Sequence, residues 1–313
     1  MANSTLRIIT RKSPLALCQA EFVQYKLLQL FADIDVTIQG ITTEADKFLD
    51  VPVDRFGGKG VFVKELEEAL IEGRADLAVH SMKDVVVDLP IGLAIPAILK
   101  RQSPGDAYIS NITDSLISLP EGSVVGTSSL RRQTQLKAYR KDLIVRGVRG
   151  NVGTRLNKLD SGDYDALILA SSGLLRLGQQ NRIKHELDLN IMLPAIGQGA
   201  LGIEIRADDV GTEKFVEALN DLDTFQCVSA ERMVSKCLNG NCRSPIAAYA
   251  VKQNELISIS GLVGSIDGSQ IIKSEVSGSA SNAIELGNKL GQNLLDNGAE
   301  KILAEAQITK DGA

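Results

Sequence analysis

The sequence predicts an α/β protein built from two βα domains and a small C-terminal α+β domain. Three observations support this fold class. The chain has 313 residues, which exceeds the usual length of a single domain. Strand-like apolar runs alternate with helical patterns up to about residue 205. The rest of the chain instead predicts a helix, a set of strands and a final helix.

Polar breaks that contain Pro and Gly divide the chain. Residues 1–99 with 200–217 are predicted to form domain 1, residues 105–193 domain 2, and residues 222–313 domain 3. The chain would therefore cross twice between the first two domains. Two βα domains joined by hinge crossovers are the architecture of periplasmic binding proteins, to which this pattern is similar by analogy only.

The first βα unit leads from a strand at Leu6–Thr10 into a helix that begins at Ser13. Ser13 suits the N-cap and Pro14 the first helical position, where the missing N–H costs nothing. Arg11 lies in the turn between them, near the helix N-terminus. Taken alone, it could equally be a solvated turn residue.

A stretch at about residues 47–60 predicts a mobile loop, because three glycines surround Lys59. Its spacing does not match a Walker A loop. It is either a flexible connection or a lid that carries Arg55 and Lys59. A helix with Leu66 and Leu70 one turn apart should follow and end at Gly73.

The next strand, predicted at Ala75–Val79, leads directly into a cluster of polar residues. Ser81, Lys83 and Asp84 should lie where that strand ends, and the carboxyl ends of strands are where α/β sheets bind ligands. A lone Asp after a strand is also commonly a helix cap or a solvated turn residue. This stretch alone leaves both interpretations open.

Domain 2 is predicted to repeat the βα pattern three times, with an arginine after each strand. Ser129 precedes Arg131 and Arg132 in the first turn of a helix, where cations oppose the helix dipole. That placement indicates a bound anion, unless the side chains reach away into water. Asn151 is a plausible N-cap before Arg155, and Gly173 precedes Arg176.

The cysteines differ in their predicted surroundings. Cys18, Cys227 and Cys237 fall in helical patterns and should be packing residues. Cys242 lies in a loop beside Arg243, where a neighbouring cation favours the reactive thiolate. It could be a nucleophile with a histidine base, or it could anchor a covalent cofactor.

Composition excludes several classes of function. A net charge of −5 argues against bulk nucleic-acid binding. No apolar run approaches the ~18 residues of a membrane span, and no secretory signal is visible, so we expect a cytoplasmic protein. Four cysteines and two histidines at these spacings do not predict a metal site.

Four separated motifs closely resemble those of the porphobilinogen deaminases, also called hydroxymethylbilane synthases. They are His80–Asp84, Gly126–Arg132, Arg149–Arg155 and the loop around Cys242. The resemblance extends from Thr10–Ala16 to the C-terminal domain. It implies three domains, of which the first two are like a periplasmic binding protein.

The resemblance also implies an activity. Members of the family join four porphobilinogen molecules head to tail and release ammonia at each step. The chain grows on a dipyrromethane cofactor held by a thioether to a cysteine, here Cys242, until water releases hydroxymethylbilane. The implied catalytic residue is Asp84.

The resemblance carries further residues over to the site. The implied cofactor contacts, besides Cys242, are Ser81, Lys83, Asp84, Thr127, Ser129, Arg131, Arg132, Asn151, Arg155, Gly173 and Gly199. The implied substrate contacts are Arg11, Ser13, Arg149, Arg155, Arg176 and Gln198. We expect porphobilinogen and water as substrates, no nucleic acid, membrane or metal, and a monomer.

A protein of another class remains possible at this point. A non-catalytic two-domain anion-binding protein would account for the arginines and the crossovers. It would leave Cys242 and Asp84 without a particular role. A cysteine protease would use Cys242 but would not need Asp84.

Overall fold

The computed structural model describes residues 4–44, 63–241 and 244–311. The strands are β1 (Ser4–Arg11), β2 (Ile34–Ile41), β3 (Leu77–Ser81), β4 (Leu93–Ile98), β5 (Asp106–Ser110), β6 (Val124–Gly126), β7 (Ile144–Arg146), β8 (Ala166–Ala170), β9 (His185–Glu186), β10 (Leu201–Arg206), β11 (Ile246–Gln253), β12 (Leu256–Gly264) and β13 (Ile271–Ser279). The α-helices are α1 (Pro14–Leu30), α2 (Lys64–Ile71), α3 (Leu130–Tyr139), α4 (Val152–Asp160), α5 (Ser171–Arg176), α6 (Val210–Glu217), α7 (Leu222–Cys237), α8 (Ala283–Asp296) and α9 (Ala299–Asp311).

The chain divides into two compact units. The first unit comprises residues 1–101 and 200–225, and the second comprises residues 102–199 and 226–313. None of the helices within the described ranges is both long and apolar enough to cross a membrane.

The first unit is built on a mixed five-stranded sheet with the order β2-β1-β3-β10-β4. The strands β1, β2 and β3 are parallel, whereas β10 runs antiparallel to both of its neighbours. Neighbouring residues of β1 face opposite sides of this sheet. Ile8 packs with Val23 and Leu27 of α1, and Ile9 packs with Leu66 and Leu70 of α2. Helices therefore cover both faces.

The start of α1 is as predicted. Ser13 is the N-cap, its hydroxyl accepts a hydrogen bond from the backbone N–H of Ala16, and Pro14 occupies the first turn. The predicted end of β3 was wrong, since the strand continues past Val79 to Ser81. The reason is the antiparallel partner, because β10 pairs Gly202 with His80 and Leu201 with Ser81. A pairing with a strand so distant in sequence has no local signal.

The second unit contains a sheet of the same form, with the order β7-β6-β8-β5-β9. Its strands β6, β7 and β8 are parallel, and β5 is antiparallel to β8 and β9. The helices α3, α4 and α5 follow β6, β7 and β8, as the threefold βα pattern predicted. Leu136 of α3 packs on one face and Leu156 of α4 on the other.

The last part of the second unit is a three-stranded antiparallel sheet in the order β11-β12-β13. Val234 of α7, Leu290 of α8 and Ile302 of α9 pack with Ile257 and Ile259 of β12. The sequence predicted all of these elements except α9. Two βα sheets and a C-terminal α+β part confirm the predicted fold class.

The chain passes from the first sheet to the second between β4 and β5, and returns between β9 and β10. The boundaries of three separate domains stay a prediction, because the compact units number two and the second contains both a βα sheet and the C-terminal sheet.

Candidate active site

A short 3₁₀ turn, Met82–Asp84, directly follows β3 and packs on the first sheet. The backbone N–H of Met82 donates to the carbonyl of Ala200 at 3.1 Å, and the Met82 side chain is buried. Gly202 makes this packing possible, because a Cβ atom there would collide with the Met82 sulfur. The turn leaves Lys83 half-buried and Asp84 exposed.

A cavity of about 70 Å³ opens beside this turn in the first unit. Four of the predicted site residues line it, namely Arg11, Ser13, Ser81 and Asp84. Lys83 is the neighbour of Asp84 in the turn but does not line the cavity. The volume suits a few water molecules or one small polar group. The structure thus brings together residues that are about 70 positions apart in sequence.

Three polar residues that line this cavity, Thr10, Gln19 and His80, were not predicted. Gln19 is 4% exposed, and its amide Nε2 donates to the Ser81 hydroxyl at 2.9 Å. The Thr10 hydroxyl donates to the carbonyl of Ala16 at 3.2 Å. Gln19 lies next to buried Ala20 on α1, so a polar residue on the apolar face of that helix was the available signal.

In the second unit, the predicted arginine pair lies in the first turn of α3, with Ser129 as the N-cap. Both side chains are buried, with exposed fractions of 3% for Arg131 and 7% for Arg132. Each pairs with Asp106 at 2.7 Å. The alternative of arginines that reach into water is therefore wrong. An anion does occupy the site, but it is a carboxylate of the chain itself.

Asp106 has an unusual electrostatic environment. Burial acts to raise its pKa, but the charges and hydrogen bonds of the two guanidinium groups outweigh this and hold the pKa well below its usual range. Arg131 Nε is buried and has no hydrogen-bond partner among the described residues. Two guanidinium groups facing one carboxylate leave this cluster with an excess of positive charge.

Gln198 belongs to the same cluster. Its Nε2 donates to Asp106 Oδ1 at 3.0 Å and to the carbonyl of Pro104 at 2.6 Å. The next residue, Gly199, has φ +90°, and a Cβ there would lie 2.6 Å from the carbonyl oxygen of Gln102. Arg176 Nη2 donates to the Gly199 carbonyl at 2.8 Å. Three predicted site residues thus meet where the chain leaves the second sheet.

The other predicted residues of the second unit lie in the turns after β6 and β7 or in the helices that follow β7 and β8. Asn151 caps α4, because its side-chain oxygen accepts from Thr154 N–H at 2.9 Å. Arg155 Nε donates to the Gly150 carbonyl at 2.8 Å, and Arg149 is exposed. The Ser129 N–H donates to the hydroxyl of buried Thr127 at 3.2 Å. Gly173 is buried within α5.

Three predicted site residues, Arg55, Lys59 and Cys242, lie outside the described residues. Of the remaining cysteines, Cys227 is buried, and burial raises the pKa of the Cys237 thiol. Both observations agree with a packing role. A raised thiol pKa disfavours the reactive thiolate.

The fold and these sites define a class: an α/β protein with polar and cationic side chains at the ends of its strands. Two family models then identify it more closely. Porphobilinogen deaminase, dipyromethane cofactor binding domain, matches residues 6–214, and porphobilinogen deaminase, C-terminal domain, matches residues 225–296. The chain belongs to the porphobilinogen deaminase family.

Solved structures with a similar fold are more distant. The VFT2 domain of BvgS from Bordetella pertussis is 15% identical, with a TM-score of 0.42 over 73% of this chain and 91% of that domain. A nutrient-binding protein from Burkholderia cenocepacia, bound to methionine, is 14% identical, with a TM-score of 0.45 over 68% of this chain and 91% of that one. At these scores the similarity supports no conclusion about a ligand.

Family membership establishes the class of reaction. The porphobilinogen deaminases are transferases of tetrapyrrole biosynthesis with hydroxymethylbilane synthase activity, and the first matched domain binds the dipyrromethane cofactor. The predicted family, enzyme class and cofactor are confirmed.

Proposed function

We propose that Asp84 is the catalytic carboxylate with which this enzyme condenses porphobilinogen and releases ammonia. The observation that carries the proposal is the cavity in which Asp84 lies with Ser81, Arg11 and Ser13. It combines one exposed carboxylate with a guanidinium group and two hydroxyls. Such a set can pair with a substrate carboxylate and a developing cation at the same time.

The chemistry gives Asp84 a specific task. Loss of ammonia from porphobilinogen leaves a cationic azafulvene, and a nearby carboxylate stabilises that cation as it forms. The same group is suited to accept a pyrrole proton after the new carbon–carbon bond has formed. Arg11 cannot replace it, since a guanidinium would repel the cation. We assign Arg11 and Ser13 to the acetate and propionate groups of the substrate.

The second unit fits the implied cofactor. Each pyrrole ring of a dipyrromethane carries an acetate and a propionate, and the cluster around Asp106 has an excess of positive charge. Arg131 Nε, which has no hydrogen-bond partner in the described part of the chain, adds a buried donor that costs free energy until an acceptor binds. When bound, the dipyrromethane supplies the pyrrole to which the chain of substrate units is joined.

The cofactor contacts that we propose are the following: Cys242 by a thioether, with Ser81, Lys83, Asp84, Thr127, Ser129, Arg131, Arg132, Asn151, Arg155, Gly173 and Gly199. Arg149, Arg155, Arg176 and Gln198 complete the substrate contacts, and Arg55 and Lys59 belong to a lid. We further propose a cytoplasmic monomer that needs no metal.

The test of Asp84 is the variant Asp84→Asn, assayed on the full chain with porphobilinogen. We expect kcat to fall by about two orders of magnitude or more, because the charge and the proton acceptor are both lost. The variant should fold normally, since Asp84 is exposed. Asp33→Asn, an exposed acid between α1 and β2, is the matched control and should retain wild-type turnover. Near-normal turnover in Asp84→Asn would refute the proposal.

The test of Cys242 is the intact mass of the denatured chain, expressed in cells that make porphobilinogen. We expect a covalent excess equal to two deaminated porphobilinogen units. The excess should disappear in Cys242→Ser and persist in Cys237→Ser. An unmodified wild-type chain would contradict attachment at Cys242.

A further inference from the structure

Three buried ionisable side chains, of which His80 lines the cavity, have no role in the proposed chemistry. They are Glu67 of α2, His80 of β3 and Glu204 of β10, with exposed fractions of 8%, 5% and 0%. His80 immediately precedes Ser81. Charged groups are rarely buried to this extent unless they are paired.

The three residues lie in one layer between α2 and the first sheet. His80 Nε2 and Glu204 Oε2 form a hydrogen bond at 2.9 Å. Glu204 stands opposite Ala78 in the β3–β10 pairing, so its side chain shares a sheet face with those of Ala78 and His80. Ala78 packs with Leu66 and Leu70 of α2 on that face. The ionisable layer therefore adjoins an apolar cluster.

The hydrogen bonding of this layer is incomplete. Glu67 Oε1 and Glu204 Oε1 are buried and have no hydrogen-bond partner within the described ranges. Two carboxylates and one imidazole cannot all be charged there at low cost, because an uncompensated buried charge is strongly unfavourable. A proton retained on one carboxylate removes that excess charge.

Glu67 is the carboxylic acid that retains this proton. Burial, and then the charge of Glu204 on β10, raise the pKa of Glu67 from 4.5 to about 7. His80 on β3 opposes this shift, and Glu68 on the same helix adds a smaller contribution in the raising direction.

We propose that Glu67, His80 and Glu204 form a proton-sharing cluster that positions the Ser81–Asp84 segment. The imidazole–carboxylate bond ties the end of β3 to β10. That strand also supplies the partner of Ser81, while the adjacent Ala200 accepts from Met82 N–H. His80 lines the cavity, but the cluster acts on Asp84 through the backbone of β3 and the turn after it, so its three members are positioning residues. The proposal rests on the function proposed for Asp84.

The raised pKa of Glu67 fixes the direction of a pH effect. A carboxyl that holds its proton more tightly when folded favours folding at low pH. The stability of the chain should therefore fall as pH rises from about 4.5 to about 7, and this contribution should level off above that range.

The first experiment compares the melting temperatures of wild type, Glu67→Gln and Glu68→Gln across that pH range. Gln mimics the protonated carboxyl, so Glu67→Gln should lose much of the decline between mildly acidic and neutral pH. Glu68→Gln, an exposed neighbour on α2, should keep the decline. An unchanged decline in Glu67→Gln would overturn the proton-sharing cluster, and this outcome does not depend on any role of Asp84.

The second experiment tests the positioning with Glu204→Gln, which keeps the shape of the side chain. We expect kcat to fall by about tenfold while KM changes by less than about twofold, because a displaced reacting group affects the chemical step rather than binding. A lower melting temperature with unchanged kcat would show that the cluster is only structural. If Glu204→Gln does not fold, His80→Gln is assayed for the same kcat and KM split.

Failure of this proposal can be told apart from failure of the proposed function. A fully active Asp84→Asn variant would remove the role of Asp84 and leave the melting data on Glu67 standing. A normal kcat in Glu204→Gln together with an inactive Asp84→Asn would remove the positioning role and keep that of Asp84.

Discussion

Asp84 and Asp106 are both aspartates at strand ends of mixed α/β sheets, yet their surroundings are opposite. Asp84 is the exposed last residue of the turn after β3 and lines a cavity. Asp106 begins β5, is fully buried and accepts hydrogen bonds from two guanidinium groups. Position in the fold alone therefore does not mark a reactive carboxylate. Its burial and the partners already bound to it decide whether its charge can serve a substrate.

The charge of Asp106 is used within the protein. Desolvation of a carboxylate costs several kcal/mol, and only close, well-aligned partners compensate for it. Here Arg131, Arg132 and Gln198 supply those partners. Asp106 thereby fixes the arginine pair in place, whereas Asp84 faces solvent.

The largest expected effect on stability is that of Asp106→Asn. Two buried guanidinium groups would lose their counter-ion, so the free energy of unfolding should fall by about 3–5 kcal/mol in urea denaturation. Asp160→Asn is the control, because Asp160 pairs with Arg182 at the surface at 2.7 Å, and it should cost at most about 1 kcal/mol. Equal losses in the two variants would erase the distinction between the buried and the exposed carboxylate.

Asp106→Asn should also change how the stability of the protein depends on pH. Because the pKa of Asp106 is lowered on folding, its stabilising contribution is present above the ordinary value of 3.8 and is lost as pH falls below it. The wild type should therefore lose stability in acid more steeply than Asp106→Asn. Parallel acid unfolding curves for the two proteins would contradict this.

The sequence alone predicted the local elements around these residues, but not the contrast between the two aspartates. Local patterns sufficed for the cap at Ser13, the start of α3 and the threefold βα repeat. Asp106 was missed, because its pairing with Arg131 joins positions 25 residues apart that no periodic pattern links. The bond between His80 and Glu204 spans 124 residues and depends on β10 entering the first sheet.

For the same reason, the sequence predicted only some residues of the candidate site. Motif resemblance identified Arg11, Ser13, Ser81 and Asp84, which the fold brings to one cavity. It did not identify Gln19, whose role depends on the distance between α1 and β3. Tertiary packing sets that distance, and a local pattern carries no information about it.

A smaller loss of stability is expected from Gly202→Ala, which crowds the packing beneath the turn that carries Asp84. In Gly202→Ala the new methyl group would meet the Met82 sulfur and lie 3.4 Å from Ile95. Since the Met82 side chain can shift, the cost should be about 1–3 kcal/mol in unfolding free energy, with reduced kcat as the turn moves. Gly211→Ala, in the first turn of α6, should be neutral or slightly stabilising by the same measurement. A Gly202→Ala enzyme with wild-type stability and turnover would show that the turn tolerates displacement.

The smallest effect is expected from Gln19→Ala, which removes the donor to the Ser81 hydroxyl. A hydrogen bond of this kind contributes about 0.5–1.5 kcal/mol, so the loss of stability should be of that order. Because Ser81 lines the cavity without carrying the proposed charge, KM for porphobilinogen should rise by less than about tenfold, while kcat falls far less than in Asp84→Asn. Gln29→Ala, an exposed residue of the same helix, should change neither quantity. The loss of turnover in Gln19→Ala could instead be as large as that in Asp84→Asn. The activity of the exposed carboxylate would then depend on its buried neighbours, as the position of the arginine pair depends on Asp106.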